Sequence, residues 1–188
     1  LPYTQNYLGL QLLTTGMNLG GTAVPAGSLL VFNGYPNTDR VTAVNPATGA
    51  VVTTLALSGN YDLTAGVWDA ATNRLFITEN NGSGTRLVVL DPSNGALTGV
   101  FPARFNIQTW SGLAIDPTTG HLWLGSVNGG TSVVEYIINA DTTLTEVRRV
   151  NLASQGVNQN EISGLSFDAS GLLWVSSTQG QIYRVSVS

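Results

Sequence analysis

The chain has 188 residues, 43% of them hydrophobic and only 10% charged, with a formal net charge of -4. A chain of that length can enclose a substantial core, and because all seven cations are arginine on an acidic background, no basic face offers itself to nucleic acid. There is no cysteine for a disulfide framework, and no apolar run reaches the ~18 residues that a membrane helix needs, so no membrane insertion is expected.

Residues 1–18 fit no complete repeat, but they contain a strand-like run at 7–13, YLGLQLL. From about Gly20 the chain becomes periodic. A short apolar strand recurs at 28–32 (SLLVF), 74–78 (RLFIT), 121–125 (HLWLG) and 172–176 (LLWVS), at intervals of 46, 47 and 51 residues. A second one follows at 40–44 (RVTAV), 86–90 (RLVVL), 132–136 (SVVEY) and 181–185 (QIYRV), at intervals of 46, 46 and 49. Two independent registers agree, which marks a repeat. A further strand follows at 50–57, 96–101 and 143–152, and the first two are reached through NPATG (45–49) and DPSNG (91–95). The stretch 111–136 adds the strand before the first column, GLAI, and the turn DPTTG (116–120). Proline fixes φ, glycine admits positive φ and Asx side chains cap, so these phrases are tight turns.

Four antiparallel strands per unit, with a period near 45 residues, are the signature of a propeller blade. The expected fold is an all-β propeller with four four-stranded blades in a single domain, 1–188. The blades span about 20–57, 62–101, 111–152 and 162–188. Runs such as LVVL (87–90) and LWL (122–124) are continuously apolar, as suits sheets buried on both faces. The third position of the first column is Leu30, Phe76, Trp123 or Trp174, a series expected to pack between blades. The last unit stops at Ser188 after its third strand, so residues 7–13 are expected to pair onto 182–187 and close the ring. A four-bladed ring, two chains sharing an eight-bladed ring and a part of a larger propeller all remain open. A chain starting at Leu1, with no methionine or leader, reads as a processed product or an excised domain.

The phrases GLAIDPTTGHLWLGS and RLVVLDPSNGALTGVF resemble the propeller repeats of the NHL, YVTN and lactonase-like type. The resemblance implies a propeller from about Gly20 onward. It also brings in a mixed set of activities: lactone hydrolases, quinoprotein-like enzymes, phytase-like phosphatases, binding proteins and surface-layer modules.

Ligands of propellers sit over one end of the ring. In this repeat that end is formed by the loops leading into the first strand and those joining the second strand to the third. The ligand-binding candidates there are Asn33, Tyr35, Asp62, Asn80, Trp110, Asn128, Glu161 and Gln179. Glu161, Asp62, Asn80 and Asn128 supply the oxygen chemistry of a structural or catalytic divalent cation, although Asn before Gly is also ordinary hairpin chemistry. No other cofactor is expected. Asp69, Asp91, Asp116 and Asp168 follow strands and are expected to cap their turns. His121, the only histidine, is expected on a surface turn away from the candidate face, and Arg148 and Arg149 in solvent. No GxSxG elbow and no phosphate loop is present. Asn81-Gly-Ser83 matches a glycosylation acceptor.

The sequence therefore predicts a non-catalytic binding or scaffold domain, secreted or attached to a cell surface. Its partner would be a glycan, a peptide, a protein ligand or a second copy of itself. The alternative is a metal-dependent lactone or ester hydrolase.

Overall fold

The computed structural model describes residues 9–34, 39–80, 85–105, 111–126, 130–141, 143–158, 162–168 and 170–187. Among them the regular structure is all β apart from one turn of 3-10 helix, Ala153–Gln155, and no helix is long and apolar enough to cross a membrane.

Four antiparallel sheets follow one another along the chain in the manner of propeller blades. The first orders β1 (Gly9–Leu12), β4 (Leu29–Asn33), β5 (Arg40–Val44) and β6 (Val51–Ala56). A separate hairpin, β2 (Met17–Leu19) and β3 (Thr22–Val24), lies between β1 and β4 in sequence. The second sheet orders β7 (Gly66–Asp69), β8 (Arg74–Glu79), β9 (Thr85–Leu90) and β10 (Leu97–Phe105). The third orders β11 (Ser111–Ile115), β12 (Leu122–Ser126), β13 (Ser132–Ile138) and β14 (Leu144–Asn151). The fourth orders β15 (Ile162–Phe167), β16 (Leu173–Ser177) and β17 (Ile182–Val185). Two compact units result, one formed by 1–81 with 87–100 and the other by 82–86 with 101–188.

The N-terminal run departs from expectation. Its described part, β1, pairs with β4 from Gly9↔Phe32 to Leu12↔Leu29 and does not pair with β17. The first sheet thus starts at Gly9, not near residue 20. Composition explains why. Gly9 occupies the place that β11 and β15 fill with Gly112 and Gly164 and that Ala65 takes in the second sheet, and the β2–β3 hairpin lengthens the connection that would have revealed it. The fourth sheet has three strands among the described residues, and β17 is its outer edge.

In the first unit, the face of the first sheet carrying Leu30 and Phe32 packs on the face of the second carrying Trp68, Leu75 and Ile77. A Cβ on Gly66 would lie 2.1 Å from the Phe32 ring, so only glycine lets the ring in. Gln11 joins the two inner strands: its Nε2 donates to the Trp68 carbonyl at 2.9 Å, and the Trp68 amide donates back to its Oε1 at 2.7 Å. The second unit repeats the design. Trp123 meets Phe167 edge to face, with ring centroids 5.9 Å apart. A Cβ on Gly112 would lie 2.5 Å from the Leu165 nitrogen, so β11 and β15 approach backbone to backbone.

The turns form as their residues predict. The Gly120 amide closes onto the Asp116 carbonyl at 2.9 Å with φ of 72°, while Asp116 Oδ1 accepts from the Thr118 amide. Asp69, Asp91 and Asp168 cap in the same way. Leu30, Phe76 and Trp123 are fully buried, as expected of the packing column. Trp174 is 39% exposed instead, with the Arg184 guanidinium 5.9 Å from its ring centroid and its Nε1 donating to Asp168 Oδ2 at 2.9 Å.

Candidate functional site

The eight candidates divide. Tyr35, Trp110, Asn128 and Glu161 lie outside the described residues. Asn33, Asp62 and Asn80 belong to the first unit, and Gln179 belongs to the second.

In the first unit the candidates sit where strands end. Asn33 closes β4 and is buried, and Asn80 follows β8 and is half-buried. Asp39, a residue the sequence did not single out, organises the loop that leads into β7. Its buried carboxylate accepts from the Tyr61 amide at 2.5 Å and the Leu63 amide at 3.0 Å. Between these two anchors Asp62 is forced to a φ of 46°, a conformation that asparagine and aspartate tolerate better than most side chains. The Asn80 amide then donates to the Tyr61 carbonyl at 2.7 Å, which ties the end of β8 to the same loop. Below it, the Thr64 and Thr78 hydroxyls meet at 3.0 Å, and Thr78 Oγ1 accepts from the Ala65 amide. Gly34 gives the carboxylate its room, since a Cβ there would fall 2.1 Å from Asp39 Oδ1.

The electrostatics of this corner are acidic. Burial raises the Asp39 carboxyl above its usual range. The backbone amides of Tyr61, Leu63 and Asp62 pull the other way without overcoming it, and the Asp62 charge adds repulsion. The Tyr61 hydroxyl is raised too, by burial first and then by the negative charges of Glu79 and Asp39. Such a corner offers acceptors to a hydrogen-bond donor. Among the described residues no group of three or more His, Cys, Asp or Glu side chains is arranged to hold a metal ion, and two of the four cation candidates are not described.

Gln179 is the candidate of the second unit that lies among the described residues. It is exposed in the β16–β17 turn, where its amide donates to Ser177 Oγ at 3.0 Å and Gly180 takes a φ of 78°. Its local geometry is that of a hairpin residue.

Sequence reasoning also missed a polar cluster inside the third sheet. Glu135 on β13 is buried between two donors: Arg148 Nε at 2.6 Å and His121 Nδ1 at 2.7 Å. Register explains the meeting, because Trp123, Glu135 and Arg148 lie directly opposite one another on β12, β13 and β14. The Arg148 guanidinium also stacks over the Trp123 ring at 5.5 Å. His121 is therefore no free turn residue and Arg148 is not simply solvated, whereas Arg149 pairs with exposed Glu146 at 3.4 Å. An acid within the apolar run SVVEY was the signal: a buried charge needs a partner from the next strand.

No family model and no curated protein matches the chain. Solved structures do resemble it. Luciferin-regenerating enzyme matches with a TM-score of 0.56 at 19% identity, over 94% of this chain and 59% of that one. Glutaminyl cyclase from Myxococcus xanthus matches with a TM-score of 0.54 at 15% identity, over 95% of this chain and 75% of that one. The WD40 β-propeller domain of Doa1 matches with a TM-score of 0.51 at 12% identity, over 86% of this chain and 47% of that one. The chain thus spans less than two thirds of the first of these structures, and of the third. At such identities the likeness shows the fold alone, and that fold is the β-propeller.

Proposed function

We propose that the chain is a non-catalytic propeller module for binding or scaffolding, carried by a secreted or surface-attached protein. Its ligand is a glycan, a peptide or a protein, bound at the loop end that carries Asn33, Asp62 and Asn80. One observation supports this most: the side chains best suited to chemistry are already occupied by structural bonds. His121 is engaged by Glu135, Asp168 by Trp174 and its own turn, and Asp39 by two backbone amides. The low charge and the absence of lysine favour an extracellular setting. Fold likeness does not choose between classes, since the similar structures include enzymes and a WD40 domain.

The test is a glycan and peptide array probed with the wild-type chain and with Asp62→Ala and Asn80→Ala. A hit weakened at least about tenfold by either substitution, roughly 1.4 kcal/mol, supports the reading. Turnover of a lactone or ester panel that depends on added divalent ions would replace it with the hydrolase reading.

A further inference from the structure

The chain has seven aspartates, all of them among the described residues. Six have their carboxylates engaged. Asp69, Asp91, Asp116, Asp141 and Asp168 accept from amides of their own turns, and Asp39 accepts from the Tyr61 and Leu63 amides. Asp62 is the exception: among the described residues nothing donates to its half-buried carboxylate. Its backbone stands apart too. Two non-glycine residues among the described ones have positive φ. Asn73, at 52°, lies in the tight β7–β8 turn, where its Oδ1 accepts from Trp68 Nε1 at 3.2 Å. Asp62, at 46°, lies in the long connection from β6 to β7, which is under no such constraint of length.

The bonds around Asp62 show what enforces that conformation. Its φ and ψ are set by the peptide planes on either side. The plane before it is pinned through the Tyr61 carbonyl, which accepts from the Asn80 amide at 2.7 Å. The plane after it is pinned through the Leu63 amide, which donates to Asp39 Oδ1 at 3.0 Å. The second Asp39 oxygen takes the Tyr61 amide, so one side chain grips the loop on both sides of Asp62. Asp39 is itself fixed: it is buried, and its carbonyl accepts from the Leu57 amide at 2.9 Å. All of these residues belong to the first unit. A buried carboxylate and a residue at positive φ both cost free energy, and such costs gather where a site has to be shaped.

We propose that Asp39 is the positioning residue of the loop end: it holds Asp62 at positive φ and so keeps the Asp62 carboxylate available to the ligand. A carboxylate accepts and does not donate, so the ligand group met there is a hydroxyl, amide or ammonium donor. This rests on the loop end being the binding end, and it adds that Asp39 contributes to binding without touching the ligand.

The test has a ligand-free half and a binding half. In wild-type protein, NMR is expected to show the strong intraresidue HN–Hα contact of a residue at positive φ for Asp62, and protected amides at Tyr61 and Leu63. Asp39→Asn keeps the shape but turns an N–H group towards one of those amides. Hydrogen exchange at Tyr61 or Leu63 is expected to speed up by about tenfold or more, while amides inside β4 and β5 stay as they are. Gly34→Ala leaves Asp39 in the chain but brings a Cβ to 2.1 Å from its Oδ1, and it is expected to release the same amides. Binding is then measured on the glycan or peptide that gives the strongest array signal. Asp39→Asn is expected to weaken it by about tenfold, as Asp62→Ala does. The double variant is expected to bind no more weakly than Asp62→Ala alone, because Asp39 acts through Asp62. Negative φ at Asp62 in the wild type, unchanged exchange in Asp39→Asn, or a weakening that adds to that of Asp62→Ala overturns the proposal. An array without any signal, on a chain whose exchange data come out as expected, overturns the binding reading instead, and Asp39 then holds a loop that serves no site.

Discussion

Replacing Glu135 with glutamine tests the best-defined polar cluster in the chain. The wild-type carboxylate accepts from Arg148 Nε at 2.6 Å and from His121 Nδ1 at 2.7 Å. Glutamine keeps one acceptor oxygen and turns an N–H group towards the other donor, so one charge-assisted bond is lost. Such a bond contributes about 1.5–3 kcal/mol when fully sheltered. Here the Arg148 and His121 side chains are 44% and 27% exposed, so water recovers part of the loss. A destabilisation of about 1–2 kcal/mol is expected. With a urea slope of about 2 kcal/mol/M, the midpoint falls by roughly 0.5–1 M, read by far-UV circular dichroism. The double-mutant cycle with Arg148→Ala isolates the pair, and about 1 kcal/mol of coupling is expected. Coupling within about 0.3 kcal/mol of zero would refute the argument and return Arg148 to solvent.

The same group sets an acid limit. Burial alone would raise the Glu135 carboxyl, but hydrogen bonds from Arg148 and His121 and their positive charge outweigh it, and the net shift is downward. A group depressed in the folded state stabilises above its unfolded pKa, about 4.3, and that contribution is lost as pH falls through its folded value. The gap in stability between wild type and Glu135→Gln should therefore be widest near neutral pH and close below the ordinary glutamate range, as followed by urea titrations at stepped pH. Asp39 is shifted the other way, so its carboxyl carbon should titrate above the usual aspartate range by NMR, and its ionisation should weaken the fold as pH rises through its folded value. Gly112→Ala places a Cβ 2.5 Å from the Leu165 nitrogen and 2.6 Å from the Gly164 carbonyl carbon. Backbone cannot step aside as a flexible side chain does, so a loss of about 2–3 kcal/mol or more is expected in thermal melts, and Gly120→Ala, with open space but positive φ, should cost about 1 kcal/mol.

Most of the architecture was legible because period and turn chemistry report the same unit. The columns led by Leu30 and Val41 matched strands β4 and β5, and the Asp116 and Asp91 turns formed as capped loops. Sheet partners across long connections were harder to read. The inserted hairpin between Leu12 and Leu29 hides β1 as an inner strand, so the sequence favours pairing of residues 7–13 with 182–187 where the structure has β1 on β4. The site was legible only in part, since the sequence marks loop ends without marking which carboxylates will be buried. Asp39 and Glu135 owe their roles to register and burial, which bring Tyr61 and Arg148 to them from 22 and 13 residues away. Trp174 illustrates the same limit: it matches Trp123 in position, yet it is 39% exposed while Trp123 is fully buried.

The inner-strand glycines carry a consequence for divergence. Where Gly66 meets the Phe32 ring and Gly112 meets the backbone of Gly164 and Leu165, adjoining sheets are spaced at their narrow edge by hydrogen atoms, not by matched side chains. Main chain is common to all sequences, so a lineage that keeps those few hydrogens can exchange nearly every other residue for one of similar polarity. Likeness of fold over 94% of the chain at 19% identity is what such tolerance permits.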